Sequence, residues 1–340
     1  MATAPERWDV FCKVVDNYGD AGVAWRLARQ LAAEHGKMVR LWLGELDVLA
    51  KLRPDIDPAR DAQDVEGVEV LRWRTRFSPL EVADVVVETF GCDPPEAYVL
   101  AMAQAQPRPR WINLEYLSAE KWVEGSHALP SPHPRLPLVK HYFFPGFTRR
   151  TGGLLREQGL LERRDAFQAA LPKRARLRAS VFAYPNAPLD DLLKAFDATE
   201  PPVEPWVPGV TSPFVAQDRY DEVLWSCDVN FVRGEDSFVR AQWAARPFVW
   251  HIYPQEQGAH WVKLSAFLAL YTEGLDRADA AAITGLWEAW NRGDGVAPAW
   301  RSYLARMETL RAHAREWAKR LATRDDLTAA IVDFADNRLK

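Results

Sequence analysis

Apolar residues fall along this chain in two alternating rhythms. Trp8 to Val15 is a mostly apolar run of strand length that stops at Asp16-Asn17-Tyr18-Gly19-Asp20-Ala21-Gly22; beyond it Val23, Leu27 and Leu31, with Ala24 and Ala28, keep the i, i+4, i+8 spacing of an amphipathic helix. Met38–Leu43, Val68–Trp73, Val82–Glu88 and Arg110–Tyr116 are further strands, and the loop Phe90–Pro95 opens a helix with proline near its first turn. Residues 118–153 hold prolines at 130, 132, 134, 137 and 145 and end near Gly152-Gly153, which predicts a long loop and crossover between domains. The second half repeats the theme. Leu177–Tyr184, Val203–Val207, Asp228–Val232 and Pro247–Ile252 read as strands, Leu189–Phe196 and Tyr220–Trp225 as helices, and everything beyond Glu256 as helical through Leu339. Such alternation predicts parallel sheets with helices on both faces, in two doubly wound domains.

Length agrees, because 340 residues suffice for two domains that each bury a core. A net charge of −4 implies no general affinity for nucleic acid. Cys12, Cys92 and Cys227 are widely spaced, odd in number and form no CxxC, which points to a reducing compartment, the cytoplasm, and against a zinc ribbon. The amino terminus lacks the basic start and apolar core of a signal peptide, and no apolar run approaches membrane-spanning length, so no membrane association is expected. His127, His133 and His141 lack metal-ligand spacing, so no metal is expected there.

Two strand–turn–helix junctions concentrate the chemistry. At Arg233-Gly234-Glu235-Asp236-Ser237 an apolar strand meets a helix whose face is spaced by Phe238, Ala241 and Ala245. The first N–H groups of such a helix, with its dipole, suit a phosphate, whereas two carboxylates in the same turn repel one. The alternative is that Glu235, Asp236 and Ser237 only cap the helix. The turn at Asp16–Gly22 again holds two carboxylates. Its glycines permit positive φ or close approach to the backbone. It is neither a G-x-G-x-x-G fingerprint nor a calcium loop, since Leu27 stands where the loop's last glutamate would be. Here too the alternative is local, with Asp16 in an Asx turn and Asp20 as a helix cap. If the domains face each other across a cleft, the two turns meet: backbone N–H groups of Asp236 and Ser237 hold a nucleotide diphosphate, Phe182, Tyr184, Phe214 and Tyr253 offer faces for a base, and Asp16, Asp20 and Glu235 suit a cationic acceptor.

The blocks WDVFCKVVDNYGDAGVAWRLARQL, residues 8–31, and FVRGEDSFVRAQWAARPFVWHIYPQ, residues 231–255, resemble those of the bacterial protein-arginine rhamnosyltransferases that modify translation elongation factor P. The likeness spans essentially the whole chain. It implies a two-domain GT-B glycosyltransferase, with an acceptor-binding domain over 1–150, a donor-binding domain over 151–324 and a last helix near 325–340 packing back on the first. It implies dTDP-β-L-rhamnose as donor, inversion without a metal or cofactor, and elongation factor P as acceptor, activated for rescue of polyproline-stalled ribosomes. By the same resemblance Asp20 is similar to the catalytic base, Asp16 to its acidic partner at the guanidinium, and Glu235 to the glutamate supporting acceptor or sugar. Asp236 and Ser237 correspond to the diphosphate-contacting pair. Phe182, Phe214, Gln217 and Tyr253 fall where thymidine and sugar are held, and Asn17, Tyr18, Gly19, Tyr184, Arg233 and Gln255 complete the expected donor side. The competing readings are a GT-B enzyme with another acceptor and a non-catalytic nucleotide-sugar binding module.

Overall fold

A computed structural model describes residues 5–16, 18–73 and 81–339; Asn17 lies outside them. The chain divides into two compact units, the first comprising Met1–Gln158 with Arg324–Lys340 and the second Gly159–Thr323. The sequence places this change of unit at 150/151, eight residues early.

In chain order the first unit runs β1 (Arg7–Cys12), α1 (Tyr18–His35), β2 (Met38–Leu43), α2 (Leu46–Leu52), β3 (Ala62–Val65), β4 (Val68–Arg72), β5 (Val85–Thr89), α3 (Glu96–Gln104), β6 (Arg110–Leu114), α4 (Val123–Ser126), β7 (Pro130–Pro132) and β8 (Val139–Phe143). Its sheet has the order β3-β4-β2-β1-β5-β6-β8-β7. The six inner strands are parallel; β3 and β7 are antiparallel edges. The expectation for residues 118–153 is thus corrected: they do not leave the domain but supply the last two strands of its sheet. Proline hides them. Pro130 and Pro132 stand on an edge, where a missing N–H breaks no inner ladder, and β8 reads as half-polar because Lys140 and His141 are partly exposed. The strand β3 also escapes the sequence pattern, since AQDV carries almost no apolar signal.

The core of this unit follows the predicted stripe. Val23, Leu27 and Leu31 of α1 pack with Val10, Leu41, Val70 and Val87 of the sheet. Under the opposite face Asp9 is wholly buried and binds Arg40 through Nε at 2.5 Å and Nη2 at 2.6 Å, while the Tyr98 hydroxyl donates to the same carboxylate.

The second unit contains α5 (Leu160–Ala169), β9 (Arg178–Val181), α6 (Leu189–Asp197), β10 (Glu204–Trp206), α7 (Gln217–Ser226), β11 (Val229–Arg233), α8 (Asp236–Trp243) and β12 (Phe248–His251), then the helices α9 (Ala259–Tyr271), α10 (Arg277–Arg292), α11 (Val296–Leu304) and α12 (Met307–Ala322). Its four strands are all parallel, in the order β10-β9-β11-β12. Helix α5 is not among the elements read from the sequence; Leu160 is its buried residue, and Phe167 packs edge-on against Trp225.

The last helical elements, α13 (Leu327–Asp333) and a π-helical turn over Phe334–Arg338, belong to the first unit. Leu327, Ile331, Phe334 and Ala335 enter the core beside α1. Asp326 caps α13 through the N–H groups of Thr328 and Ala329 and accepts from Gln30 Nε2 at 2.9 Å; the Thr328 hydroxyl donates back to Gln30. Gly153, at φ +76, is required here because a Cβ would collide with the Asp325 carbonyl.

Candidate active site

In the first sheet the strand order reverses at β1 and β5, and the loops leaving their carboxyl ends diverge there, as in other doubly wound sheets. Asp20 lies at this point, in the first turn of α1, with 1% of its surface exposed. Its Oδ2 accepts the backbone N–H groups of Val15 and Asp16, both at 2.8 Å. The side chain therefore does close the turn, as the capping alternative requires. Its Oδ1 is buried without a hydrogen bond of good geometry. Burial pushes the carboxyl above the ordinary carboxylate range, while the N–H groups of Asp16 and Val15 and the nearby Tyr116 hydroxyl pull it down.

Tyr116 is not singled out by sequence. It is the second residue after β6, so its place at the carboxyl end of a parallel strand is the available signal. Its ring stacks on Phe90 at 4.2 Å and 10°. Phe90 is fixed in turn, since its N–H donates to the Leu114 carbonyl at 2.7 Å and the next N–H, of Gly91, donates to Asn113 Oδ1 at 3.0 Å. Three loops, after β1, β5 and β6, thereby converge on one carboxylate. Asp16 and Tyr18 are half-buried beside it; Gly19 lies inside α1 and donates its N–H to the Asp16 carbonyl at 2.8 Å. Removing the Tyr116 hydroxyl withdraws a group that favours the charged carboxylate, so Tyr116→Phe is expected to move the acidic limb of the kcat/KM profile to higher pH. Near neutrality the loss is roughly fivefold, the worth of about one hydrogen bond. A uniform loss with an unmoved pH profile would assign Tyr116 a packing role only.

In the second unit the order reverses at β9 and β11, and the residues following these strands cluster. The Arg233 guanidinium lies 4.5 Å from the Phe182 ring centre and 4.6 Å from that of Tyr184. Phe214 meets Phe182 at 6.5 Å and Tyr253 meets Tyr184 at 5.5 Å, both edge-on. Phe214 and Tyr253 are 42% and 41% exposed, whereas Tyr184 is buried. The four aromatic residues picked out from sequence thus share one cluster with Arg233. Gly234 makes the turn at φ +63, and its carbonyl accepts from Trp250 Nε1 at 2.9 Å.

Helix α8 starts at Asp236, with Glu235, 8% exposed, at its N-cap position. The Asp236 carboxylate accepts Gln217 Nε2 at 2.7 Å, and the Ser237 hydroxyl donates to the Arg233 carbonyl and accepts the Arg233 N–H at 3.2 Å. These side chains are committed to internal bonds, so an anion here would be met by backbone N–H groups and the helix dipole rather than by the Ser237 hydroxyl. Gln255 is exposed and donates its N–H to His260 at 3.1 Å.

His251, also unassigned from sequence, underlies the cluster. Its Nδ1 accepts the Tyr184 N–H at 3.3 Å, and burial together with the Arg233 charge pushes its pKa down to about 4. The imidazole is neutral at pH 7 and adds no charge to the arginine. Among the described residues no group of three or more His, Cys, Asp and Glu residues is arranged to hold a metal ion. Two histidines of residues 118–153 accept backbone N–H groups, His127 from Phe144 and His133 from Arg135 and Leu136, and His141 packs on Phe334.

The profile of the elongation factor P rhamnosyltransferase family EarP matches residues 8–212 and 209–336. A protein-arginine rhamnosyltransferase of Pseudomonas putida is 47% identical, covering 98% of this chain and 99% of the relative, and one of Pseudomonas aeruginosa is 45% identical over 96% and 98%. A solved structure described as the basis for EarP-mediated arginine glycosylation of elongation factor EF-P is 35% identical, with TM-score 0.65 over 98% and 99% of the two chains. The spinosyn rhamnosyltransferase SpnG, solved with thymidine diphosphate, is only 11% identical at TM-score 0.58 over 97% and 100%, and so speaks for the fold alone. The architecture is the GT-B glycosyltransferase fold. The chain belongs to the EarP family of elongation factor P rhamnosyltransferases.

Proposed function

We propose that this protein transfers L-rhamnose from dTDP-β-L-rhamnose to an arginine side chain of elongation factor P, with Asp20 as the base. The observation that carries the reading is Asp20 itself: a buried carboxylate held by two backbone N–H groups, with one oxygen lacking a well-formed hydrogen bond. Such an oxygen suits an incoming N–H donor. The sequences and names of the relatives support donor and acceptor class.

A guanidinium has a pKa above ~12 and delocalised charge, so its nitrogens are poor nucleophiles. Asp20 and Asp16 fix its plane and localise its charge. The nitrogen attacks the anomeric carbon, the bond from that carbon to the diphosphate oxygen breaks, and dTDP departs with the electron pair. A carboxylate is too weak a base to deprotonate guanidinium beforehand, so Asp20 takes the proton as the C–N bond forms. Direct displacement through an oxocarbenium-like transition state inverts the configuration and needs no covalent enzyme intermediate. Arg233 and the first-turn N–H groups of α8 receive the developing diphosphate charge, Phe182, Tyr184, Phe214 and Tyr253 hold base and sugar, and Glu235 supports the sugar or acceptor. No metal or cofactor is assigned a step, and the place of action is the cytoplasm.

The test is the intact mass of elongation factor P after incubation with this protein and dTDP-rhamnose, with and without a chelator. A gain of one deoxyhexose in both arms is expected. Donor binding without any mass gain would move the acceptor elsewhere, and a gain abolished by chelator would refute the metal-free route. Arg233→Ala is expected to raise the donor Kd by roughly 10- to 100-fold, the worth of a charge-assisted contact. An unchanged Kd, by calorimetry, would remove Arg233 from the donor site.

A further inference from the structure

Far from the Arg233 cluster, at the amino ends of the same strands, the second unit gathers five arginines. Arg178 opens β9, Arg246 precedes β12, Arg311 and Arg315 lie on α12, and Arg174 belongs to the run Lys173-Arg174-Ala175-Arg176-Leu177-Arg178. Arg178 and Arg311 bind Asp228, the residue before β11, whose other end is Arg233; Arg174 reaches the Ser226 carbonyl, and the charges of Asp228, Arg311 and Arg315 all act on Arg246. Five residue steps along the strand separate Asp228 from Arg233 by roughly 16 Å.

Acids do not balance this group. Both Asp228 oxygens are in use, Oδ2 accepting the Arg178 N–H at 3.0 Å and Oδ1 accepting Arg311 Nη2 at 2.7 Å. Glu204 stands 3.4 Å from Arg178. The helix-end carbonyls, which also attract cations, are taken as well: Trp243 by Arg164, Ala244 by Gln168, and Ser226 by Arg174. Arg246 is left half-buried among like charges. Among the described residues it has neither hydrogen bond nor ion pair, and its Nε is buried without a partner. Burial and the charges of Arg311 and Arg315 hold its guanidinium below its ordinary pKa, against the pull of Asp228.

A partly buried cation that shares its nearest carboxylate and has no ion pair of its own is costly, and repulsion from Arg311 and Arg315 adds to that cost. A compact oxyanion with several acceptor oxygens relieves it, because guanidinium forks match its geometry. We propose that Arg246, with Arg311 and Arg315, forms a second anion site that takes a phosphate group, distinct from the donor site on the opposite ends of the strands.

The test is thermal melting of the full chain in inorganic phosphate against sodium chloride of equal ionic strength. Phosphate is expected to raise the melting temperature by roughly 2–4 °C beyond chloride once well above its Kd. Arg246→Gln should abolish this difference while keeping transfer activity and melting no lower in chloride. Arg315→Gln, exposed and safe for folding, should reduce it. Arg233→Ala should retain it, which separates this site from the donor site. Equal melting in phosphate and chloride, or a full phosphate effect in Arg246→Gln, overturns the proposal. A single-stranded decauridylate measured in parallel distinguishes the source of the phosphate: binding of the strand with no response to free phosphate also overturns a compact site.

Discussion

Asp20→Asn is expected to lower transfer to elongation factor P by about 10²- to 10⁴-fold, the usual contribution of a positioned proton acceptor, while leaving dTDP-rhamnose binding intact. The fold survives for a specific reason. The amide oxygen of asparagine can still accept the N–H groups of Val15 and Asp16 that Oδ2 holds now, and it spares the unit a buried charge that burial disfavours. Deprotonation of Asp20 therefore opposes folding. Because its folded pKa is raised, its stabilising contribution is complete below the unfolded value of about 3.9 and is lost as pH rises through the folded one. An asparagine at this position has no such loss, so the variant should melt at or above the parent temperature at neutral pH. Intact mass of the acceptor and calorimetry with donor give the two readouts. Transfer within tenfold of the parent would remove Asp20 from the proton path, and loss of folding together with activity would make it a structural residue.

Asp221→Ala is expected to destabilise the second unit by about 3–5 kcal/mol, because it strands a buried arginine. Arg240 is 1% exposed and binds Asp221 through both Nε, at 2.7 Å, and Nη2. The Gln217–Asp236 bond lies one helical turn away, and both pairs join residues nineteen apart, so they tie α7 to α8 in a fixed register. That register sets where the first turn of α8 points. Donor affinity should fall with stability in Asp221→Ala, although Asp221 is assigned no donor contact. Hydrogen exchange read over β11 and α8 checks this. Unchanged protection there would show that the ion pair does not hold the two helices.

Much of this is legible in one dimension. The alternation of strand-length runs and helical stripes marks out the inner parallel strands and α1, because burying a strand on both faces or a helix on one leaves a periodic trace. Tracts without such a trace escape. The edge strands β3 and β7 need few apolar residues, and the prolines of β7 look like a loop signature although an edge tolerates them. The same masking makes residues 118–153 read as a crossover.

Residue type and position near a strand end are enough to bring forward Asp16, Asp20, Glu235 and the aromatic residues Phe182, Tyr184, Phe214 and Tyr253, since a doubly wound sheet presents such positions at its carboxyl edge, whereas Arg233 enters only through the family resemblance. What the side chains do there comes only from three dimensions. Tertiary packing stacks Tyr116 on Phe90 beside Asp20 and slips neutral His251 beneath Tyr184. It also brings together three segments of the chain that carry Arg174 and Arg178, Arg246, and Arg311 and Arg315. Spacing along a chain records periodic burial, whereas most of these contacts join residues tens to more than a hundred positions apart, and only the closing of each sheet brings them within reach.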